Sequence, residues 1–215
     1  MKPLIAATGL AHEARLLTGP GVLAVAGGGS SAKLEAALAA AAADARGILS
    51  VGLAGALAPE LAPGDWVVAQ AVICGDDQIP TDPAWRDALL ARLPGARAGA
   101  FLGSDAMVTD AAEKRRAHAR TGAVAVDMES HVAARVARRF GLPFAAARVI
   151  SDAADRSLPA AVRVGMRPDG GMALGPVLAA LARDPGQLAS LIRTGLEARR
   201  AFAALRRARG TWGLA

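Results

Sequence analysis

Three carboxylates stand apart from the other acidic residues by where they fall in the chain: Glu13, Glu129 and Asp152. Glu129 lies in Val126-Asp127-Met128-Glu129-Ser130, where an apolar run gives way to a helical pattern reaching Phe140. Asp152 closes Val149-Ile150-Ser151-Asp152, at the end of the most apolar run in the sequence. Both sites read as ends of strands, which is where open α/β sheets place their ligands. A carboxyl group there can hold hydroxyls, give or take a proton, or oppose a growing positive charge. The plainer reading is that Asp127 or Ser130 caps a helix and Asp152 starts a turn. Spacing alone leaves both open.

The elements that must position these groups follow from hydrophobic periodicity. Apolar runs at 4–7, 22–26, 48–51, 66–73, 100–102, 124–126 and 144–150 read as strands buried on both faces. Helical patterns at 10–17, 31–45, 83–92, 110–120 and 129–140 alternate with them, which is the βαβ rhythm of a three-layer α/β domain. Segments 173–183 and 187–208 are expected to end the chain as helices. Gly27-Gly28-Gly29 ahead of Ser30-Ser31, and Gly52 with Gly55 after the third strand, read as turns where a ligand could approach the backbone. Segment 153–171, with Pro159 and Pro168, reads as a loop near a site.

Composition bounds the rest. A chain of 215 residues, 53% hydrophobic and 20% charged, fits one globular domain over residues 1–215. The net charge of +6 suggests a polyanionic partner, but it is unevenly spread. Residues 185–215 hold Arg193, Arg199, Arg200, Arg206, Arg207 and Arg209 against Glu197, which leaves residues 1–184 near neutral. With 3% aromatics and no tyrosine, stacking platforms are scarce and a nucleic-acid binder is not expected. One cysteine, Cys74, excludes a disulfide framework and any CxxC metal site, and points to a reducing compartment. The start, Lys2 to Ala7, has the look of a short signal segment, but His12, Glu13 and Arg15 interrupt it, and a buried first strand is the better reading. No apolar stretch reaches the ~18 residues of a membrane span.

Other motifs carry less. Gly27-x-Gly29-x-x-Ala32 fits a dinucleotide fingerprint in outline, yet the next strand ends Ser50-Val51-Gly52 without the acidic residue that would hold a ribose hydroxyl. A tight turn facing a phosphate or sugar is favoured. His12, His118 and His131 lack metal-ligand spacing and read as solvated or capping residues. Glu113-Lys114-Arg115-Arg116 reads as a solvated helical face, and Cys74 as a small core residue.

The strings Val126-Asp127-Met128-Glu129-Ser130 and Arg148-Val149-Ile150-Ser151-Asp152-Ala153-Ala154-Asp155 resemble the paired V-E-M-E and R-x-I-S-D-x-A-D signatures of the nucleoside phosphorylase and methylthioadenosine/adenosylhomocysteine nucleosidase superfamily. Further matches stand upstream in order: Glu13, Val51 to Pro59 with Gly64-Asp65, and Ser104 to Thr109. The resemblance spans roughly residues 2–156. It implies an αβα sandwich with a mixed central sheet, and cleavage of a purine N-glycosidic bond with no cofactor or metal.

By this resemblance Asp152 is the acid facing purine N7, and Ser151 stands beside it. A free Asp titrates near ~3.9, so its environment or its ligand must supply the proton at neutral pH. Glu129 would hold the ribose hydroxyls and oppose positive charge on the sugar. Met128 would pack on the ribose, Met107 would take the place where relatives stack an aromatic on the base, and the Val108 backbone would read the base edge. Ala54 and Gly55 would line the pocket, and Arg148 would orient Glu129 or Asp152. In the nucleosidase branch the glutamate matching Glu13 positions water. In the phosphorylases, arginines and hydroxyls bring phosphate as co-substrate. Here Ser50-Val51-Gly52-Leu53 lacks them, leaving Arg15, Gly28, Gly29, Ser30 and Ser31 as phosphate or water candidates.

A narrower resemblance rests on the short chain, the Gly-Gly-Gly loop, residues 126–134, and Arg167-Pro168-Asp169-Gly170 followed by a basic helix. These are similar to the hopanoid-associated phosphorylases, which implies release of adenine from the lipid nucleoside adenosylhopane. The alternative is hydrolysis of methylthioadenosine or adenosylhomocysteine. Relatives form homodimers or larger homo-oligomers, and a cytoplasmic protein is expected. On the last helix Leu188, Leu191, Ile192, Leu196, Phe202 and Leu205 share a side amid the arginines. That pattern reads either as a helix packed on the domain or as a basic amphipathic helix meeting the inner membrane face.

Overall fold

The computed structural model describes residues 1–160, 162, 174–184, 186–210 and 212. Its elements run β1 (Leu4–Thr8), α1 (Ala11–Leu17), β2 (Val22–Ala26), α2 (Ser31–Ala42), β3 (Gly47–Ala56), β4 (Trp66–Cys74), β5 (Asp77–Pro80), α3 (Pro83–Arg92), β6 (Arg97–Gly103), α4 (Ala111–Thr121), β7 (Ala125–Asp127), α5 (Ser130–Phe140), β8 (Phe144–Asp152), α6 (Leu174–Arg183) and α7 (Gln187–Arg207). Their starts are written locally. Asp82 caps α3 by accepting from Trp85 N–H, with Pro83 in the first turn, and Asp110 caps α4 by accepting from Glu113 N–H.

The sheet is mixed, in the order β2-β1-β3-β7-β6-β4-β5, with β8 bonded to both β3 and β4. Strands β1, β2, β3 and β8 run parallel, whereas β7 meets β3, and β4 meets β8, antiparallel. The pairings β3–β8, β8–β4, β4–β6, β6–β7 and β7–β3 therefore close part of the sheet into a ring. Side chains alternate across it. Ile5, Ile48 and Ile150 face a cluster covered by Leu34 and Leu38 of α2 and Val132 and Val136 of α5. Leu4, Leu49 and Val149 face the other cluster, covered by Leu17 of α1, Trp85 and Leu89 of α3, and Ala201 and Leu205 of α7. Three layers result.

Three features depart from the sequence reading. β2 is an edge strand with no buried residue, not a strand buried on both faces. β3 continues to Ala56, so Gly52 and Gly55 lie inside a strand and are not turn residues. β5 is a four-residue edge strand with no apolar run to announce it. Of the loop expected over 153–171, residues 161 and 163–171 lie outside the described residues, and with them Arg167-Pro168-Asp169-Gly170.

Candidate active site

Glu13 sits in the first turn of α1 and is buried. Its Oε2 accepts from Leu10 N–H at 2.9 Å, Gly9 N–H at 3.1 Å and Thr8 Oγ1 at 3.1 Å, while Oε1 accepts from Leu53 N–H at 3.0 Å. The carboxylate caps its own helix, as a glutamate at this position does, and also staples α1 to β3.

Arg148 projects from β8 opposite Gly52 of β3 and has no exposed surface. Its Nη2 lies within hydrogen-bond distance of Ser50 Oγ (2.8 Å), Ser130 Oγ (3.2 Å), Asp127 Oδ1 (3.2 Å) and Glu129 Oε2 (3.3 Å). It thus orients Glu129 and makes no contact with Asp152. Asp127 has a second task. Its Oδ1 accepts from the N–H groups of Glu129 at 2.8 Å and Ser130 at 2.6 Å, so it caps the start of α5. Burial works against the charge on Asp127, but the guanidinium and the Ser130 donors outweigh it and hold the group below the usual carboxylate range. Glu129 goes the other way. Burial pushes its carboxyl up to about 8 despite Arg148, and the charges of Asp127 and Glu13 add to the rise.

Asp152 ends β8 and is buried. Ser151 Oγ lies 2.6 Å from Oδ1, and its alternative acceptor is Ala54 O at 3.1 Å. Oδ2 is ion-paired to Lys114 Nζ, which also donates to the carbonyls of Ala153 and Arg156 at 3.0 Å each. Lys114 is fully buried on α4, so the solvated face expected over Glu113-Lys114-Arg115-Arg116 holds for its neighbours but not for Lys114. The helical period explains this, since Lys114 and Ala117 fall on the inner side. Lys114 is the main residue that the sequence reading missed. A signal for it existed: only Lys2, Lys33 and Lys114 are lysines among 25 basic residues, so the chain uses arginine nearly everywhere that only a charge is needed.

Glycines of β3 make room for Glu13, Arg148 and Asp152. A Cβ at Gly52 would stand 2.6 Å from Arg148 Nη1 and 2.8 Å from Glu13 Oε1, and one at Gly55 would stand 3.2 Å from Asp152 Oδ2. Glu13 and Arg148 therefore flank one point of β3, Asp152 lies three residues further along it, and Glu129 joins the first pair through Arg148.

The remaining candidates border this centre. The turn after β2 is tied to it by Gly28 N–H donating to Gly9 O at 2.9 Å, and Gly28 and Gly29 take φ of 60° and 74°. Ser30 Oγ accepts from Lys33 N–H and caps α2. Ser31 Oγ donates to Asp105 Oδ1 at 2.6 Å, and His131 Nε2 lies 3.1 Å from the same oxygen. Those two partners hold Asp105 below the usual carboxylate range. Met128 is half-buried, Met107 is 39% exposed, and Val108 packs against the Leu57, Ala117 and Val126 cluster. Ala54 is buried, and Arg15 is exposed on α1. A cleft of about 530 Å³ between Asp76, Ser104, Val108, Arg116 and Arg120 reaches the Val108 loop, but none of the three carboxylates lines it. Among the described residues no group of three His, Cys, Asp or Glu side chains is placed to hold a metal ion, and no helix is long and apolar enough to cross a membrane.

A family model described as the phosphorylase superfamily matches residues 6–165. Among solved structures, the chain is similar to a mutant of the Helicobacter pylori 5′-methylthioadenosine/S-adenosylhomocysteine nucleosidase with 5′-methylthioadenosine in its active site. That match has 15% identity and a TM-score of 0.64, covering 85% of this chain and 99% of that one. The nucleosidase of Colwellia psychrerythraea in complex with adenine is 18% identical with a TM-score of 0.62, over 71% and 84% of the two chains. Futalosine hydrolase of Helicobacter pylori is 18% identical with a TM-score of 0.58, over 71% and 88%. No protein of curated function matches the sequence.

Proposed function

Because the chain belongs to the phosphorylase superfamily, enzymes that cleave N-glycosidic bonds, we propose that it splits the bond between purine and ribose in a 5′-substituted adenosine, with water as the attacking group. The observation that carries this reading is the placement of Asp152 at one end of the β3 segment 52–55 and of Glu13, Arg148 and Glu129 at the other. Purine leaves readily only when N7 is protonated. As the C1′–N9 electron pair moves onto the base, positive charge grows on the sugar, and the Glu13 carboxylate beside Gly52 opposes it, while Glu129 holds the ribose hydroxyls. Glu13 accepts from three backbone N–H groups, with the Thr8 hydroxyl shared between it and Leu10 O, and positions the water that forms the new C1′–O bond. A positioned acid is typically worth ~10²–10⁴-fold in rate.

Water is favoured over phosphate on the chain's own residues. Ser31 spends its hydroxyl on Asp105, whose carboxylate repels an anion. The structural neighbours that act on methylthioadenosine and adenosylhomocysteine agree with this reading.

A second reading, phosphorolysis of adenosylhopane with phosphate as co-substrate, is favoured by one observation. Leu188, Ile192 and Leu196 form an exposed apolar stripe on α7 close to Arg193, Arg199 and Arg200, which suits a lipid-linked substrate at a membrane face. Adenine release from methylthioadenosine and from adenosylhopane, each with and without phosphate, decides between them. Phosphate-independent turnover of methylthioadenosine is expected. Strict phosphate dependence on the lipid substrate would replace the first reading by the second.

A further inference from the structure

Lys114 is ion-paired to Asp152, the acid of the proposed reaction. Its side chain has no exposed surface and that of Asp152 is 8% exposed, so bulk water does not reach the pair freely. The ammonium has three N–H donors and three acceptors: Asp152 Oδ2, Ala153 O and Arg156 O. If the shared proton moves from Nζ to Oδ2, the neutral amine still donates to the two carbonyls and accepts from the new carboxyl O–H. Both proton arrangements therefore keep every hydrogen bond. An alkylammonium is by its chemistry a more persistent proton carrier than a carboxyl group.

We propose that Lys114 is a positioning residue that stores the transferable proton of the site and passes it through Asp152 to the purine. The inference rests on Asp152 being the acid of the proposed reaction. In the step, the Nζ proton passes to the carboxylate, the carboxyl proton goes to N7, the C1′–N9 pair goes to the base, and water adds its oxygen to C1′. The proton that water releases leaves to solvent, and a solvent proton entering at the exposed edge of Asp152 restores the Lys114 ammonium through its carboxylate. Lys114 also clamps the chain just after β8 through Ala153 and Arg156, so the acid and its proton source share one rigid mount.

The test is the pH profile of adenine release from methylthioadenosine, from pH 5 to 9, for the full chain and for Lys114→Met, Lys114→Arg and Asp152→Asn. Lys114→Met is expected within about threefold of the parent at pH 5 and about 30-fold or more below it at pH 8, since its acid must then be charged from solvent. Lys114→Arg keeps the positive charge but does not release a proton at these pH values. It is expected to keep the parent KM while its kcat follows the methionine variant, with a lower Tm because the larger guanidinium must fit a site with no exposed surface. Should either variant fail to fold by thermal melt, Lys114→Ala with added methylamine or ethylamine replaces it, with rescue expected to follow amine basicity. Loss by one constant factor at every pH, or an unchanged profile in both variants, overturns the proposal. An active Asp152→Asn, or a parent chain that releases no adenine, overturns the acid reading and this inference together. An inactive Asp152→Asn beside Lys114 variants with the parent profile overturns this inference alone.

Discussion

Gly9 lies directly against Glu129: a Cβ built on residue 9 would stand 2.5 Å from Glu129 Oε1 and 3.0 Å from its Cδ. The same residue donates its N–H to Glu13, so one glycine is the spacer between the two carboxylates at the sugar end of the site. Gly9→Ala must push the Glu129 carboxyl away from Arg148. A displacement near 1 Å at a reacting centre can cost about 10²-fold in rate. Steady-state assays of adenine release are expected to show a loss of that order in kcat/KM, while the urea midpoint moves little.

Glu129 carries a pH signature of its own. In the folded protein its carboxyl keeps a proton up to about 8, while the ordinary value is 4.5. Between those pH values folding takes up a proton, so stability is highest at the acidic end and declines as pH rises. Glu129→Gln removes the titration. Urea unfolding at pH 5 and pH 8 is expected to show a smaller difference for the variant than for the parent, with the variant gaining at pH 8.

Arg148 is the counter-charge for buried Asp127, which it holds ionised, and it also lies within hydrogen-bond distance of Glu129. Removing one partner of a buried pair costs about 3–5 kcal/mol, because the other charge stays behind. Arg148→Met is expected to lose stability on that scale at pH 7 by urea denaturation. Protonation of Asp127 should narrow the deficit as pH falls towards 4.

How far this site was legible in the sequence differs residue by residue. Apolar runs and helical periods revealed β1, β2, β4, β6, β7, β8 and the seven helices named above; β1 and β8 are buried along nearly their whole length, whereas β2 lies at the sheet edge with no buried residue. The second half of β3 was hidden, since Gly52-Leu53-Ala54-Gly55 has the composition of a turn. Its glycines are in fact there to clear space for Glu13, Arg148 and Asp152. Motif spacing could not say whether Arg148 serves Glu129 or Asp152. The register does: Arg148 pairs with Gly52 and Asp152 with Gly55, which keeps the two apart along the strand. Lys114 was masked by charged neighbours, and Asp105 by its exposed loop.

The contact between Ser31 and Asp105 bears on the choice of nucleophile. With its hydroxyl donated to a carboxylate at 2.6 Å, Ser31 has no hydrogen to offer an anion. Ser31→Ala is therefore expected to change adenine release by less than about threefold, the scale of one exposed hydrogen bond. Phosphate from zero to tens of millimolar should leave the parent rate unchanged. A rate that climbs with phosphate and collapses in the alanine variant would show that the turn after β2 binds the anion after all.

The last helix divides between the two roles that its pattern allowed. Ala201, Ala204 and Leu205, with Ala208 and Trp212 just beyond, are buried in the cluster that holds Trp66 and Val149, with the Trp66 and Trp212 rings 5.8 Å apart. Leu188, Ile192 and Leu196 are each at least half exposed. Cutting the chain at residue 184 would strip the packed half and unfold the body, so the informative change is Leu188, Ile192 and Leu196 to serine within the full chain. If the exposed half meets anionic lipid, the parent pellets with phosphatidylglycerol vesicles and the triple variant does not. Adenine release from soluble methylthioadenosine should then stay within about twofold, as expected of surface substitutions away from the site. Equal pelleting of the two proteins would remove the membrane role from this helix, and with it the observation that favours a lipid-linked substrate.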